Sequence, residues 1–425
     1  MRPVAHPRNQ RWFAGIAALL LAGPAAAGDP DAGREMGLSL RASLKGAAVV
    51  SRAPHDPALF PEDSSATSFW RFRLDGEGRP RPWTTFALAY EQRLRVASQG
   101  AGSENLGGPI PLEGPAPYRI RQLDWALADR PGFAWRHEID RASAVFELPY
   151  AKLTLGRQAV GWGRGVLFGA VDLFAPFTPL EADREWRRGV DAVRAELRLS
   201  DRTSAEVVTA FGESIDASVF AARVRGYAGK ADGELVAGWR ARDLFAGVTS
   251  SAAVGDAEIH GELCLFRAPT AISGGGAWGN DRLAPKAVLG GSYRLAMGRG
   301  LVVFAEYHYS GFGVREPEDL IPLLANPDFR ARFLRGDSQI LGRHAVALLG
   351  SIELSNELSV QVLGLASPVD GSGVLSPSAT FTLSDAASVQ ANLYLPWGAK
   401  PDGLVLRSEY GATPLSLFVQ ARIYR

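Results

Sequence analysis

The residues best placed to do chemistry are cations, set at even spacings along segments of alternating character. Arg71 and Arg73, Arg93 and Arg95, Arg194 and Arg198, and Arg223 and Arg225 each share one side of such a segment. Arg294 joins them, as do Arg41, Lys45, Arg141, Lys152, Arg240, Lys286 and Arg422. The acids on that side are fewer: Asp75, Glu91, Glu147, Glu196, Glu234, Glu258, Glu262 and Glu306. A wall of guanidinium groups around a wet space concentrates anions. The same residues could instead brace neighbouring strands as Arg–Glu ladders, which need no solute. The sequence leaves both open.

A second constellation occupies residues 156–191, GRQAVGWGRGVLFGAVDLFAPFTPLEADREWRRGVD. It leaves a strand, passes Gly161, Gly163 and Gly165, crosses an aromatic–proline stretch and ends in Glu181, Asp183, Arg184, Glu185, Arg187 and Arg188. The glycine spacing resembles a phosphate loop, but no helical pattern follows to supply an anion-binding N-terminus. The functional expectation is a loop folded inward as a constriction, with Trp162, Arg164, Asp183, Arg184, Arg187 and Arg188 at the solute path. The alternative is an ordered surface loop tied by its own ion pairs.

Catalytic spacings are missing. The six histidines, His6, His55, His137, His260, His308 and His344, form no HExxH or other metal-ligand pattern. Cys264 shares a face with His260 and Glu262, but a packed thiol is the simpler account. No G-x-S-x-G elbow occurs. The expectation is therefore no enzyme, no metal and no cofactor.

The elements that must position the cations are strands. In 415–423, Leu415, Leu417, Val419, Ala421 and Ile423 fall on one face, with Ser416, Gln420 and Arg422 on the other. Segments 287–295, 301–309 and 389–395 show the same period of two, which marks a strand with one apolar face. Strands are expected near 36–46, 68–75, 84–96, 139–148, 151–158, 189–200, 203–211, 217–227, 232–241, 243–253, 256–267, 285–296, 300–310, 340–353, 356–366, 374–384, 386–396 and 414–425. Short links, such as Pro149-Tyr150 and Gly229-Lys230-Ala231, alternate with long ones, such as 97–130, 159–188 and 311–339. Tight turns at one end and long loops at the other is the layout of an outer-membrane barrel. The fold expected is all-β: a transmembrane antiparallel β-barrel of about eighteen strands, with sixteen possible. Its apolar face would meet lipid, with Trp70, Phe86, Tyr90, Trp239, Tyr293, Tyr307 and Tyr309 on it, and its polar face would line the lumen. A β-sandwich array or β-helix would instead show linkers or repeats, and none is found.

Composition agrees. The 425 residues carry 46 Lys+Arg against 45 Asp+Glu, a net charge of +1, which provides no bulk basic field for nucleic acid. A single Cys excludes an intrachain disulfide scaffold. With 46% hydrophobic and 21% charged residues the chain is not of disordered type. Residues 1–27 read as a signal peptide: Arg2, Arg8 and Arg11, an apolar stretch from Phe13 to Ala22, then Ala25-Ala26-Ala27 before Gly28. No later apolar run is long enough for a transmembrane helix. The barrel would then span 28–425, in the outer membrane of a Gram-negative bacterium, among outer-membrane lipid and lipopolysaccharide.

Leu155 to Asp191 and the tail SEYGATPLSLFVQARIYR (408–425) resemble outer-membrane porin-like proteins of Gram-negative bacteria. The shared features are a strand ending in GRQ, a W-G-x-G turn and an acidic/basic loop. More distantly, the strand count and Arg-lined lumen look like the alginate-export porins. The resemblance implies a channel and a C-terminal strand read by the barrel-assembly machinery. The family usually ends in an aromatic residue; this chain ends Tyr424-Arg425. The function expected is passage of small hydrophilic, preferably anionic, solutes. The alternative is a structural, adhesion or export-scaffold barrel without solute specificity.

Overall fold

A computed structural model of the chain describes residues 37–98 and 116–425. The expected signal peptide lies outside the described residues. The remainder is one antiparallel sheet closed on itself. Its strands are β1 (Gly37–Arg52), β2 (Ser64–Arg81), β3 (Thr84–Ala97), β4 (Asp124–Arg130), β5 (Phe133–Glu147), β6 (Ala151–Gln158), β7 (Val190–Arg198), β8 (Thr203–Ala210), β9 (Val219–Ala228), β10 (Ala231–Arg240), β11 (Asp243–Val254), β12 (Ala257–Arg267), β13 (Leu283–Leu295), β14 (Leu301–Ser310), β15 (His344–Glu353), β16 (Leu358–Ala366), β17 (Gly373–Ser384), β18 (Ala387–Trp397) and β19 (Leu415–Tyr424). Each wall strand pairs with its neighbours in sequence, and β1 pairs with β19 from Ser43↔Tyr424 to Arg52↔Leu415, which closes the ring.

β4 is not a wall strand. β5 pairs along one edge with β3, from Thr84↔Phe146 to Val96↔Phe133. Its other edge is shared end to end by β6, against Ala142–Glu147, and β4, against Phe133–Glu138. Of the nineteen strands, eighteen therefore form the wall. Sixteen is excluded.

One end of the barrel carries short turns, such as 82–83, 148–150, 229–230 and 385–386. The other carries the long connections, including 53–63, 159–189, 268–282, 311–343 and 398–414. Connection 241–242 is the exception at that end, with two residues. Segment 311–343 contains two helices, α1 (Leu320–Leu324) and α2 (Pro327–Arg335). Asn326 caps α2 by accepting from the Asp328 and Phe329 amides, and Gly336 ends it in the left-handed region. No described helix is long and apolar enough to cross a membrane.

Side chains sort as the strand period demands. Leu38, Leu40, Trp70, Phe86, Leu235, Trp239, Leu263, Leu289, Tyr293 and Leu417 stand exposed on the exterior. Such a continuous apolar exterior fits a bilayer and not water. The alternate positions are buried, Lys45, Arg73, Glu234, Glu262 and Glu306 among them. Burial there is possible because the lumen is not empty. Residues 159–189 enter it, and Trp162, Phe168, Leu173 and Phe174 form a core with Val208, Val236, Phe266 and Val288 of the wall. A second, smaller core of Phe60, Val314, Leu320, Phe329, Leu406 and Ala412 binds the outer connections to one another.

Candidate functional site: a charged lumen with an inward loop

The inward loop is held by carboxylates that accept from its backbone. Glu262 of β12 accepts from the amides of Arg164, Gly165 (2.8 Å), Ala170 (2.6 Å) and Val171 (3.2 Å). Glu306 of β14 accepts from Val166 (2.6 Å), Leu167 (3.0 Å) and Phe168 (3.0 Å). Amides without a regular partner must find one when buried, and two glutamates satisfy seven. His260 lies between Glu258 (3.0 Å) and Glu306 (2.9 Å) and braces the second acceptor. Two of the loop's glycines are required by space and backbone conformation. Gly163 has φ +109° with Glu262 beside it, and a Cβ on Gly165 would stand 1.8 Å from the Phe168 carbonyl oxygen.

The loop then crosses the lumen. Trp162 donates to Glu206 of β8 (3.0 Å), and Arg164 pairs with Asp232 (2.6 Å) and Glu234 (3.1 Å) of β10. Gln339 donates to the Phe177 carbonyl and accepts from the Gly169 amide. On the far side Asp183 and Glu185 each lie 2.8 Å from the Lys45 ammonium. Arg184 is spent inside the loop, on the carbonyls of Val166, Thr178 and Pro179. Arg187 holds Asp172 (2.7 Å) and the Ala175 carbonyl. Of the expected constriction residues, then, Trp162, Arg164 and Asp183 tie the loop to the wall. Arg184 and Arg187 fold the loop itself, and Arg188 lines the open cavity beside Glu138.

That cavity measures about 850 Å³. One side is the wall of β2, β3 and β5, bearing Arg71, Arg93, Arg95 and Arg136. The loop and the outer connections supply much of the rest of the lining: Pro176, Phe177, Leu180, Ile340 and Leu341 are apolar, and Glu181, Asp183 and Glu409 acidic. Arg93 pairs with Asp124 (3.1 Å) and Glu138, and Arg136 with Asp124 (2.9 Å). Arg73 lies deeper, on Asp75 (2.9 Å), Glu91 and Asp140 (2.9 Å). Arg95 lies over the Phe69 ring. A second ladder lines β7 to β10, where Arg194 and Arg223 share Glu206, and Arg223 and Arg225 share Glu234. Arg198 (with Asp201) and Arg294 (on the Arg299 carbonyl) stand exposed at the short-turn end, away from the constriction.

The charges reach the water unequally. Arg71, Arg93 and Arg136 expose 32%, 28% and 37% of their side chains, while the acids between them, Glu91 and Glu138, expose 7% and 3%. At these pairs the guanidinium groups are the more exposed partners.

Loop and outer groups are tuned by the same packing. Burial pushes Glu181 up to about 7, against the Thr178 amide and Arg184. Glu409 is likewise raised by burial to about 7, against the Gly342 and Leu341 amides and with Asp370 adding to the rise. Arg188 is lowered by burial to about 10, with Glu138 opposing. Burial opposes ionisation of Asp337 too, but Arg240, Arg335 and Arg332 hold it well below the usual carboxylate range. Asp337 pins α2 over the two-residue connection 241–242, since Arg332 also reaches Asp243 (2.5 Å).

Sequence reasoning named Glu262, Glu306 and Glu234 only as lumen acids; their task of seating a loop depends on contacts distant in sequence. Arg119 and Asp124 fell inside the stretch 97–130 taken for a loop, and Arg136 just before the strand read from 139. A charge on every alternate position of 136–140 was the available signal.

No protein-family model matches the chain, and no curated protein matches it by sequence. Solved structures do match. OccAB1 of Acinetobacter baumannii superposes with a TM-score of 0.53 at 9% identity, over 91% of this chain and 96% of that one. OccAB4 of the same species gives 0.52 at 8%, over 92% and 99%. Pseudomonas aeruginosa OccK9 (OpdG) gives 0.54 at 9%, over 91% and 98%. At such identities the likeness is one of fold: the chain has the closed eighteen-stranded barrel of Gram-negative outer-membrane porins.

Proposed function

We propose that this protein is an outer-membrane channel that passes small hydrophilic solutes and favours anions. One observation carries the preference: facing the cavity, Arg71, Arg93 and Arg136 are the more exposed members of their pairs, with Glu91 and Glu138 buried and Asp124 less exposed than either of its partners. Formal charge near the path is close to balanced, so any selectivity rests on which charges solvent reaches. In a narrow, partly dehydrated path the nearest charges dominate. The inward loop sets the aperture, and the fold of known outer-membrane porins supports passage over catalysis. The finer likeness to alginate-export porins rests on residues 155–191 and 408–425 and on the strand count. In this reading outer-membrane lipid and lipopolysaccharide surround the barrel, and the assembly machinery engages β19.

Proteoliposome swelling tests it. Small organic anions should enter faster than neutral solutes of equal size. Equal rates would remove the anion preference, and no swelling by inserted protein would remove the channel.

A further inference from the structure

The loop is anchored where the barrel closes. β1 and β19 are the first and last strands, and theirs is the one wall pairing between strands that do not follow one another in the wall. Loop-closure entropy makes such a pairing the costliest in the ring. From inside the lumen, residues 183–186 bridge it. Lys45 of β1, with 2% of its side chain exposed, places its ammonium 2.8 Å from Asp183 and from Glu185 and 3.7 Å from the Trp186 ring centroid. From β19, Gln420 donates to Asp183 (3.4 Å) and the Tyr424 hydroxyl to Glu185 (2.5 Å). The Arg73 guanidinium of β2 lies over the same indole, 5.0 Å from its centroid. The penultimate aromatic residue thus points into the lumen, toward the loop.

We propose that Lys45 is a positioning residue that latches the constriction loop across the β1–β19 seam, so that one contact sets both the aperture and the closure of the barrel. Removing the ammonium takes the nearest counter-charge from two neighbouring carboxylates, with only the more distant Arg71 and Arg422 left to offset Asp183, and repulsion loosens 183–186 from the seam. Covering the ammonium with an indole face adds an attraction that a displaced segment would lose. The conducting consequence rests on the channel reading above; the closure consequence does not.

The test compares Lys45→Met, Lys45→Arg and the triple variant Lys45→Met/Asp183→Asn/Glu185→Gln in the full chain. Two readouts are used: the temperature at which the fast-migrating folded form is lost on gels, and single-channel current. Lys45→Met should lower that temperature and raise open-channel noise and mean conductance. Lys45→Arg should restore both substantially. The triple variant relieves the uncompensated charge, so its temperature should recover toward wild type while its noise stays high. If Lys45→Met does not fold, the triple variant decides. Wild-type noise and conductance in the triple variant would overturn the coupling, and a wild-type transition temperature in Lys45→Met would overturn the latch. A silent wild-type protein would refute the channel alone, with the latch then decided by the gel transition.

Discussion

At the residue scale, selectivity should follow the wet arginines. A unit charge about 10 Å from a solute in water is worth about 0.4 kcal/mol. Arg71→Glu or Arg136→Glu should therefore lower the anion-to-cation permeability ratio on the order of threefold to tenfold after screening, measured as a reversal potential. Arg198→Glu, at the exposed short-turn end, should shift it far less. Glu181 gives a pH dependence of defined sign. Its carboxyl is raised to about 7, so it is largely neutral below that pH and charged above it. Negative charge appears in the cavity as pH rises from about 6 to about 8, and anion preference should fall across that window. Glu409 titrates in the same range and faces the same cavity, so Glu181→Gln together with Glu409→Gln should flatten the profile. How far this was legible varies by residue. Arg71, Arg93 and Arg95 could be placed in the lumen from parity alone, because parity decides the face. Glu91, the partner of Arg71, was placed there the same way, but the partners of Arg93 were not, since Asp124 and Glu138 reach it through a hairpin that alternation did not disclose.

At the element scale, the loop depends on Glu262. Glu262→Gln keeps one acceptor oxygen but turns the other into a donor facing the Ala170 and Val171 amides. A buried amide left unpaired costs about 1–3 kcal/mol, so the folded-form transition on gels should drop by several degrees while circular dichroism still reports a sheet. An unchanged transition would mean that the loop is seated mainly by its apolar core. The strands themselves were readable, because one face meets lipid and the other water. The windows at 151–158, 189–200 and 256–267 lie within a few residues of β6, β7 and β12. β2 was read as 68–75 and runs Ser64–Arg81, because Gly76, Gly78 and Pro80 blur the alternation without breaking the pairing. β4 and α2 were missed. β4 is short and stacks above β6, and α2 is stabilised by Asp243 and Asp337 ion pairs that local pattern does not contain.

At the scale of the whole molecule, the net charge of +1 conceals a division by depth. Acids that seat the loop or sit behind arginines contribute to the sum and little to what a solute encounters. The near-zero mean hydropathy of −0.03 is also an average, of a lipid-facing stripe and a wet one. If the protein is the channel proposed, accessible charge, and not formal charge, sets what passes. The most direct test is the zero-current potential of the inserted wild-type protein in a KCl gradient at pH 6, where Glu181 is largely neutral. The potential should have the sign given by chloride permeating faster than potassium. A potential of the opposite sign would contradict it.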